Sequence, residues 1–253
     1  MMSVPIGVQL YSLRDELTTD FEGVIRKVAA QGYAGVESAN AAFVSTTPKA
    51  AAKLFQELGL QVSSAHIGLP LGDKKNEVLE TMEILGTKNM VCAFLPPEEF
   101  ETEAKIKFHC DELNQADEVA RENGMKLFYH NHWWEYRQQI NGRPAYKIML
   151  ENLAPTVNFE VDTYWVQAGG ANVVDIIHEF GSRAPLLHIK DGSTNEKDSM
   201  VAVGDGVMDW ASIIPDAKPE WLIVELDRCA TDMLEAVGRS FTYLSSKGYG
   251  HGR

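Results

Sequence analysis

Apolar residues along this chain fall into short continuous runs separated by longer stretches in which they recur every three or four positions. The runs lie at roughly 4–11, 34–38, 61–66, 88–94, 125–131, 157–162, 185–190 and 220–226, and read as strands. Between them the pattern predicts helices at roughly 20–31, 48–58, 75–85, 102–123, 145–153, 172–180, 209–214 and 230–247. Phe21, Val24, Ile25 and Val28 share one face of the first of these helices. The strand runs are apolar on successive residues, as strands buried on both faces are. Their spacing of about 30 residues is that of one βα unit.

Glycine punctuates the pattern. Gly32, Gly59, Gly86 and Gly124 each stand where a helix has to stop before the next strand, the usual place of a left-handed cap. Eight βα units can close as a barrel or lie open as a doubly wound sheet. The open sheet places a glycine-rich phosphate loop after its first strand, and Val8-Gln9-Leu10-Tyr11-Ser12-Leu13-Arg14 contains none. The expectation is one (β/α)8 barrel domain spanning residues 1–253.

Composition narrows the partners. A formal charge of -13 with no basic cluster disfavours nucleic acid, whose phosphates select Lys/Arg-rich surfaces. A hydrophobic content of 45% suffices for a sizeable core, while the longest apolar runs fall short of the ~20 residues that span a membrane. The opening Met1-Met2-Ser3-Val4-Pro5-Ile6-Gly7 has neither a basic nor an extended apolar segment, so no export signal is expected. Cys92, Cys110 and Cys229 show no paired spacing and their odd number cannot all pair within the chain, which fits a reduced, cytoplasmic setting. Cys92 and Cys229 lie in or beside apolar runs and read as structural.

Candidate chemistry gathers at the ends of the last four runs. Glu135 follows the fifth, Asp162 ends the sixth, and His188 and Glu225 lie near the ends of the seventh and eighth. In a parallel barrel, functional groups sit on the C-terminal side of the strands, so these four point to one mouth. Any one of them alone reads as a cap or a salt bridge. Together they form a mixed N/O set suited to one divalent ion of the Mn, Mg, Co or Zn kind.

Several strings carry a resemblance, from Gly7-Val8-Gln9-Leu10-Tyr11-Ser12 through Tyr129-His130-Asn131-His132-Trp133-Trp134-Glu135-Tyr136 and Glu160-Val161-Asp162-Thr163-Tyr164-Trp165. His188-Ile189-Lys190-Asp191, Val203-Gly204-Asp205-Gly206 and Glu225-Leu226-Asp227 extend it. In their order and spacing the chain resembles the xylose-isomerase-like barrel superfamily, in particular its sugar phosphate isomerase/epimerase branch, which includes ketose 3-epimerases and inosose dehydratase. The resemblance implies a metal held by Glu, Asp, His and Glu from strands five to eight, matched here by Asp162, His188 and Glu225. At strand five the ketose epimerases carry Glu at the strand end, where this chain has His130, Asn131 and His132. Glu135 is assigned to that place, with His132 as the alternative. The resemblance is also compatible with a homo-oligomer.

An ion so held polarises a substrate carbonyl and makes the adjacent C–H acidic, and a nearby carboxylate removes the proton. Returning it to the other face is epimerisation, returning it to the neighbouring carbon is isomerisation, and losing a β-hydroxyl is dehydration. Glu135 and Glu225 are candidates for the acid and base, with His66 and Lys190 as substrate contacts or enediolate stabilisers. For His66 the plainer reading is a satisfied strand-end histidine. Glu37 could orient His66 or a substrate hydroxyl, or form a structural salt bridge. Gln9, Tyr11, His132 and Trp165, with Trp133, Trp134 and Tyr164, could wall a sugar ring, although aromatics also fill cores. His109, His178 and His251 are read as non-functional, and Gly204-Asp205-Gly206-Val207-Met208-Asp209-Trp210 as a turn leading into a helix. The expected partner is a small sugar or keto-sugar, processed by an isomerase or epimerase. A lyase acting on a 3-keto sugar or inosose, a phosphodiesterase disfavoured by the acidic charge, and a non-catalytic sugar-binding protein are the rival readings.

Overall fold

Continuous apolarity on eight short runs becomes a closed ring in the structure, a computed structural model that describes residues 4–253. Residues 1–3, on which the expectation about an export signal partly rests, lie outside the described residues. The ring strands are β1 Val4–Gln9, β2 Gly35–Ala39, β3 Gln61–His66, β4 Asn89–Cys92, β5 Lys126–His130, β6 Asn158–Asp162, β7 Leu186–Ile189 and β8 Trp221–Val224. Each pairs in parallel with the next, and β8 returns to β1 through Ile6↔Leu222, Gly7↔Ile223 and Val8↔Val224. The expected eight-stranded barrel is what forms. A short segment, Gly250–His251, pairs beside the start of β1 outside the ring.

The helices packed around the ring are α1 Phe21–Gln31, α2 Pro48–Glu57, α3 Lys75–Leu85, α4 Glu103–Glu122, α5 Ala145–Asn152, α6 Val173–Phe180, α7 Trp210–Ala217 and α8 Met233–Ser246. Side-chain caps open several of them: Asp20 accepts from Gly23 N, Thr102 from Lys105 N and Asn172 from Asp175 N. At the other end, Gly32 (φ 105°) and Gly86 (φ 73°) cap α1 and α3 in the left-handed region, as the sequence pattern predicts. No helix among the described residues is long and apolar enough to cross a membrane.

Strand alternation sorts two cores. Side chains facing outward pack against the helices in one large cluster, while Val91, Phe128, Leu186 and Ile223 fill the inside of the ring. Phe128 and His130 occupy alternate positions on β5 and share its inner face, so an apolar residue forms the floor and a histidine stands above it. The register between β2 and β3 shifts at Val36/Glu37, a bulge that sets Glu37 opposite Ser64 instead of Ser63. The chain also forms elements the pattern did not predict: helical turns at Trp134–Arg137 and Thr163–Ala168, and a hairpin of Gln139–Ile140 with Arg143–Pro144. Strand one, expected to run to 11, ends at Gln9 and continues as a 3-10 turn over Leu10–Leu13.

Candidate metal centre and active site

Above the apolar floor, inward positions of six strands bring polar groups together: Gln9, Glu37, Ser64, His66, His130, Glu160, Asp162 and His188, with Lys190, Glu225 and Asp227 just beyond β7 and β8. Glu160 Oε1 is the hub, 2.7 Å from His66 Nε2, 3.0 Å from His188 Nε2 and 3.2 Å from His130 Nδ1. His188 gives its other nitrogen, Nδ1, to Glu225 Oε2 at 2.8 Å. Glu37 Oε2 lies 2.6 Å from His188 Nε2 and accepts from Gln9 Nε2 at 2.7 Å, while Ser64 Oγ donates to Glu37 Oε1 at 2.5 Å. Lys190 Nζ stands among three carboxylates, 2.9 Å from Asp162, 2.6 Å from Glu225 and 3.0 Å from Asp227.

Two overlapping sets offer ligand atoms within 4.8 Å of one another: His66, His130, Glu160 and His188, and His130, Asp162, His188 and Glu225. Both fit a divalent cation on the chemistry of their donors. Glu160 Oε2 is buried without a hydrogen-bond partner, as an atom free to take an ion is. Glu37, Glu160, Asp162 and Glu225 are all buried, and Lys190 is the one ammonium that touches any of them among the described residues.

The protonation states record this crowding. Burial, aided by Glu160, pushes Glu37 up to about 7, and burial pushes Asp162 up to about 6. Burial acts on Glu160 in the same sense, but His188 and His66 hold it well below the carboxylate range; Lys190 and His188 do the same for Glu225. Burial drives His130 down to about 3, so its imidazole is neutral and available as a ligand. His188, desolvated yet ringed by Glu160, Glu225 and Glu37, is held well above its ordinary value.

Asp162, His188, Glu225, His66, Lys190, Glu37 and Gln9 thus converge as the sequence suggested. Glu135 does not: its buried Oε1 accepts from Tyr129 Oη at 2.7 Å and from the His132 amide at 3.0 Å, and it belongs to neither ligand set. Its place on a helical turn after β5 aims it between that strand and its own loop. His132 is also outside both sets, its ring stacked on Trp134 at 4.4 Å. The strand-five member of both candidate sets is His130. Sequence reasoning assigned no role to His130 or Glu160, yet both carry a signal: Glu160 is two residues before Asp162 on the same strand face, and His130 pairs with Glu160 across β5 and β6. Trp165 lies 5.5 Å from Lys190 Nζ, over its ring, and donates its backbone N–H to Asp162 Oδ1. Tyr164 instead accepts from the Thr194 amide and belongs to the loop packing.

A cavity of about 440 Å³ opens over the ends of β1 to β4, lined among others by Tyr11, His66, Ile67, Leu69, Phe94 and Leu95. His66 is the member of the ligand sets that faces it. A larger groove of about 570 Å³ runs between α2 and α3 on the outer ring and touches none of the cluster.

A closed parallel barrel with a histidine and carboxylate cluster at the C-terminal ends of its strands has the build of an α/β-barrel enzyme, and the cluster is compatible with one metal ion. The profile of the xylose isomerase-like TIM barrel family matches residues 25–230, and the chain belongs to that family. It is 26% identical to the inosose dehydratase of Geobacillus kaustophilus (strain HTA426) over an alignment of 278 positions covering 91% of this chain and 85% of that protein. Among solved structures it is similar to a sugar phosphate isomerase/epimerase from Parabacteroides distasonis, with a TM-score of 0.82, 25% identity and coverage of 98% and 96% of the two chains. The IOLI protein, whose crystal structure holds a zinc atom, shares the fold at a TM-score of 0.71 and 17% identity, with coverage of 97% and 98%.

Proposed function

We propose that this protein is a divalent-metal-dependent isomerase or epimerase of a small sugar or keto-sugar, acting by proton transfer at the carbon beside a carbonyl. The observation that carries the reading is the buried set of histidines and carboxylates at the barrel mouth, whose ligand atoms lie within 4.8 Å of one another. His130 and His188, common to both ligand sets, would hold the ion together with the neighbouring carboxylates. When bound, the ion supplies Lewis-acid polarisation of the substrate carbonyl.

The remaining work falls to the chain. His66 keeps Nε2 on Glu160, and among the described residues no protein group takes Nδ1, so the ring can exchange a proton with a substrate seated in the cavity. Glu160 and Glu37 make that imidazole more basic, since both lie against Nε2 and hold it above its ordinary value despite burial. Lys190, fixed by three carboxylates and close to Trp165, brings a positive charge to the oxygen side of an enediolate. Glu225 orients His188 and Lys190. Glu135, tied to Tyr129 and His132, is left with a positioning role in the loop after β5. The three cysteines are unpaired, in keeping with a reducing, cytoplasmic setting.

A second reading, a lyase that eliminates water from an inosose or 3-keto sugar, is supported by the similarity to inosose dehydratase. Incubation with zinc, manganese, cobalt or magnesium in deuterated water, with a panel of ketoses and 3-keto sugars followed by NMR, separates the readings. Deuterium entering an α-carbon with the carbon skeleton and hydroxyls intact is the expected result, and His66→Gln should slow it by about 100-fold or more. An unsaturated product selects the lyase. Sugar binding without exchange under any of the metals leaves a binding protein and overturns the enzymatic reading.

A further inference from the structure

The cavity over the ends of β1 to β4 differs in kind from the charged cluster it adjoins. Besides His66, Asn40, the Tyr11 hydroxyl and the Cys92 thiol, every side chain lining it is apolar. Tyr11 and Phe94 are two of the three aromatic side chains left exposed among the described residues, at 37% and 54%, and both stand here. Exposed apolar groups scattered singly need no explanation, but gathered in a concavity they mark a ligand groove. Neither ring is loose. Arg14 lies over Tyr11 at 4.2 Å, fixed by the carbonyls of Tyr11 and Asp227, and Phe94 meets His132 and Trp134 nearly at right angles. A second cavity of about 350 Å³ shares Asn40, Ile67, Gly68 and Leu69 with the first and continues to the start of α3. Lys74 is the one ammonium or guanidinium lining either cavity among the described residues, and it pairs with Glu77 at 2.8 Å. A Cβ on Gly68 would meet nothing within 4 Å, so the space common to the two cavities is open there.

We propose that the substrate is a keto-sugar carrying an apolar, aromatic substituent: a ketoglycoside whose sugar ring lies over the polar cluster and whose aglycone fills the groove between Tyr11, Leu69 and Phe94. This inference rests on the proton-transfer reading above and names its substrate class. Position sets the direction. His66 ends β3, and Lys190 follows β7 on the opposite side of the ring. A sugar with its reacting carbon at His66 and its enediolate oxygen toward Lys190 covers the polar half of the mouth, so the rest of the molecule extends over β1 to β4. Size agrees. Pockets of about 300–1,000 Å³ enclose drug-sized ligands, and a 440 Å³ cavity that runs on into another offers more room than a bare monosaccharide needs. Polarity decides what fills it. A hydroxylated tail would give up its water there and find only Asn40 and the Tyr11 hydroxyl in exchange, and a phosphate would meet no unpaired cation in a chain of charge -13. An aromatic aglycone removes the exposed rings and the leucines from water and stacks against Tyr11 or Phe94.

Methyl and benzyl 3-ketoglucosides form the test pair, because their alkoxides are alike as leaving groups and only the apolar bulk differs. With metal-supplied full-length protein, kcat/KM for deuterium entry beside the carbonyl should be about 10-fold or more higher for the benzyl compound. A phosphorylated ketose and a 3-keto disaccharide should both fall below it. Calorimetry on the same pair needs no turnover: the benzyl compound should bind about 10-fold tighter, with a more negative heat-capacity change. Phe94→Ala removes a wall and Gly68→Leu fills the shared space, so each should shrink the benzyl-to-methyl ratio several-fold. Equal rates and affinities for the pair, or a preference for the phosphorylated ketose or the disaccharide, overturns the inference while leaving the isomerase or epimerase. A benzyl preference that survives both substitutions puts the aglycone elsewhere and overturns it too. Tighter benzyl binding with no exchange on any substrate under any metal overturns the enzymatic reading and keeps the aglycone in the groove. The wild-type pair decides without a variant, so a substitution that unfolds the barrel does not block the test.

Discussion

Lys190 is buried with its ammonium 2.6–3.0 Å from Asp162, Glu225 and Asp227. Removing one partner of a buried ion pair costs about 3–5 kcal/mol, because the charges left behind lose their counterion. Lys190→Met should therefore lower the urea midpoint by an amount equivalent to that loss at pH 7.5, and a change below about 1 kcal/mol would mean that the carboxylates find another cation or a proton. Glu135 poses the opposite problem. Burial pushes its carboxyl up to about 7 in the fold, from an ordinary value of 4.5, against the pull of the Tyr129 and His132 hydrogen bonds. Between these two values the folded chain holds a proton that the unfolded chain releases, so this residue favours folding below pH 4.5 and loses that contribution as pH rises through 7. The loss is on the order of 3 kcal/mol. Glu135→Gln should flatten the decline of stability between pH 5 and 8, as followed by urea unfolding; an unchanged slope sinks the assignment.

At the level of elements, the segment after β7 shows how one side chain can shape a loop. The buried Asp191 carboxylate accepts from Gly192 N and Gly204 N at 2.9 Å each, from Met208 N at 3.2 Å and from Trp210 Nε1 at 2.9 Å. Gly206 is fixed by the same contact, since a Cβ there would stand 2.0 Å from Asp191 Oδ1. Asp191→Asn replaces an acceptor by an amide N–H facing backbone donors. Limited proteolysis should then cut between 192 and 209 several-fold faster, and equal rates would show that the loop is held by something else. The glycine and turn chemistry of this segment was legible in the sequence, while the aspartate that organises it was not, because its four donors are assembled only in the fold. The same contrast holds elsewhere. Gly32 and Gly86 announced helix ends through a purely local requirement for positive φ, whereas the two-residue strands at 139–144 are too short to carry any period. The short helix at 163–168 is buried on nearly all sides, so it has no polar face to mark it.

At the scale of the whole barrel, period and punctuation revealed eight βα units, but the closing β8–β1 pairing and the meeting of His66 with Glu160, 94 positions apart, are properties of the ring. Asp162, His188 and Glu225 could be picked out because each ends an apolar run, while Glu160 lies inside one and reads locally as an anomaly. Metal binding should act on the ring as one unit, since the two candidate ligand sets draw on β3, β5, β6, β7 and the end of β8. Zinc at about 100 times its dissociation constant should stabilise the fold by about 2.7 kcal/mol and raise Tm by roughly 5–10 °C, with chelator reversing the shift. A scan with no difference between zinc and chelator would remove the coupling. The bulge between β2 and β3 has a separate consequence for how this site can change over generations. Substituting residues at the mouth alters chemistry and leaves the frame intact, but deleting Ser63 alters parity along β3. Either Gln61 and Val62 trade faces, or Ser64 and His66 turn away from Glu37 and Glu160. Within this strand the lineage can vary identity far more freely than count, and length variation is driven out to the loops.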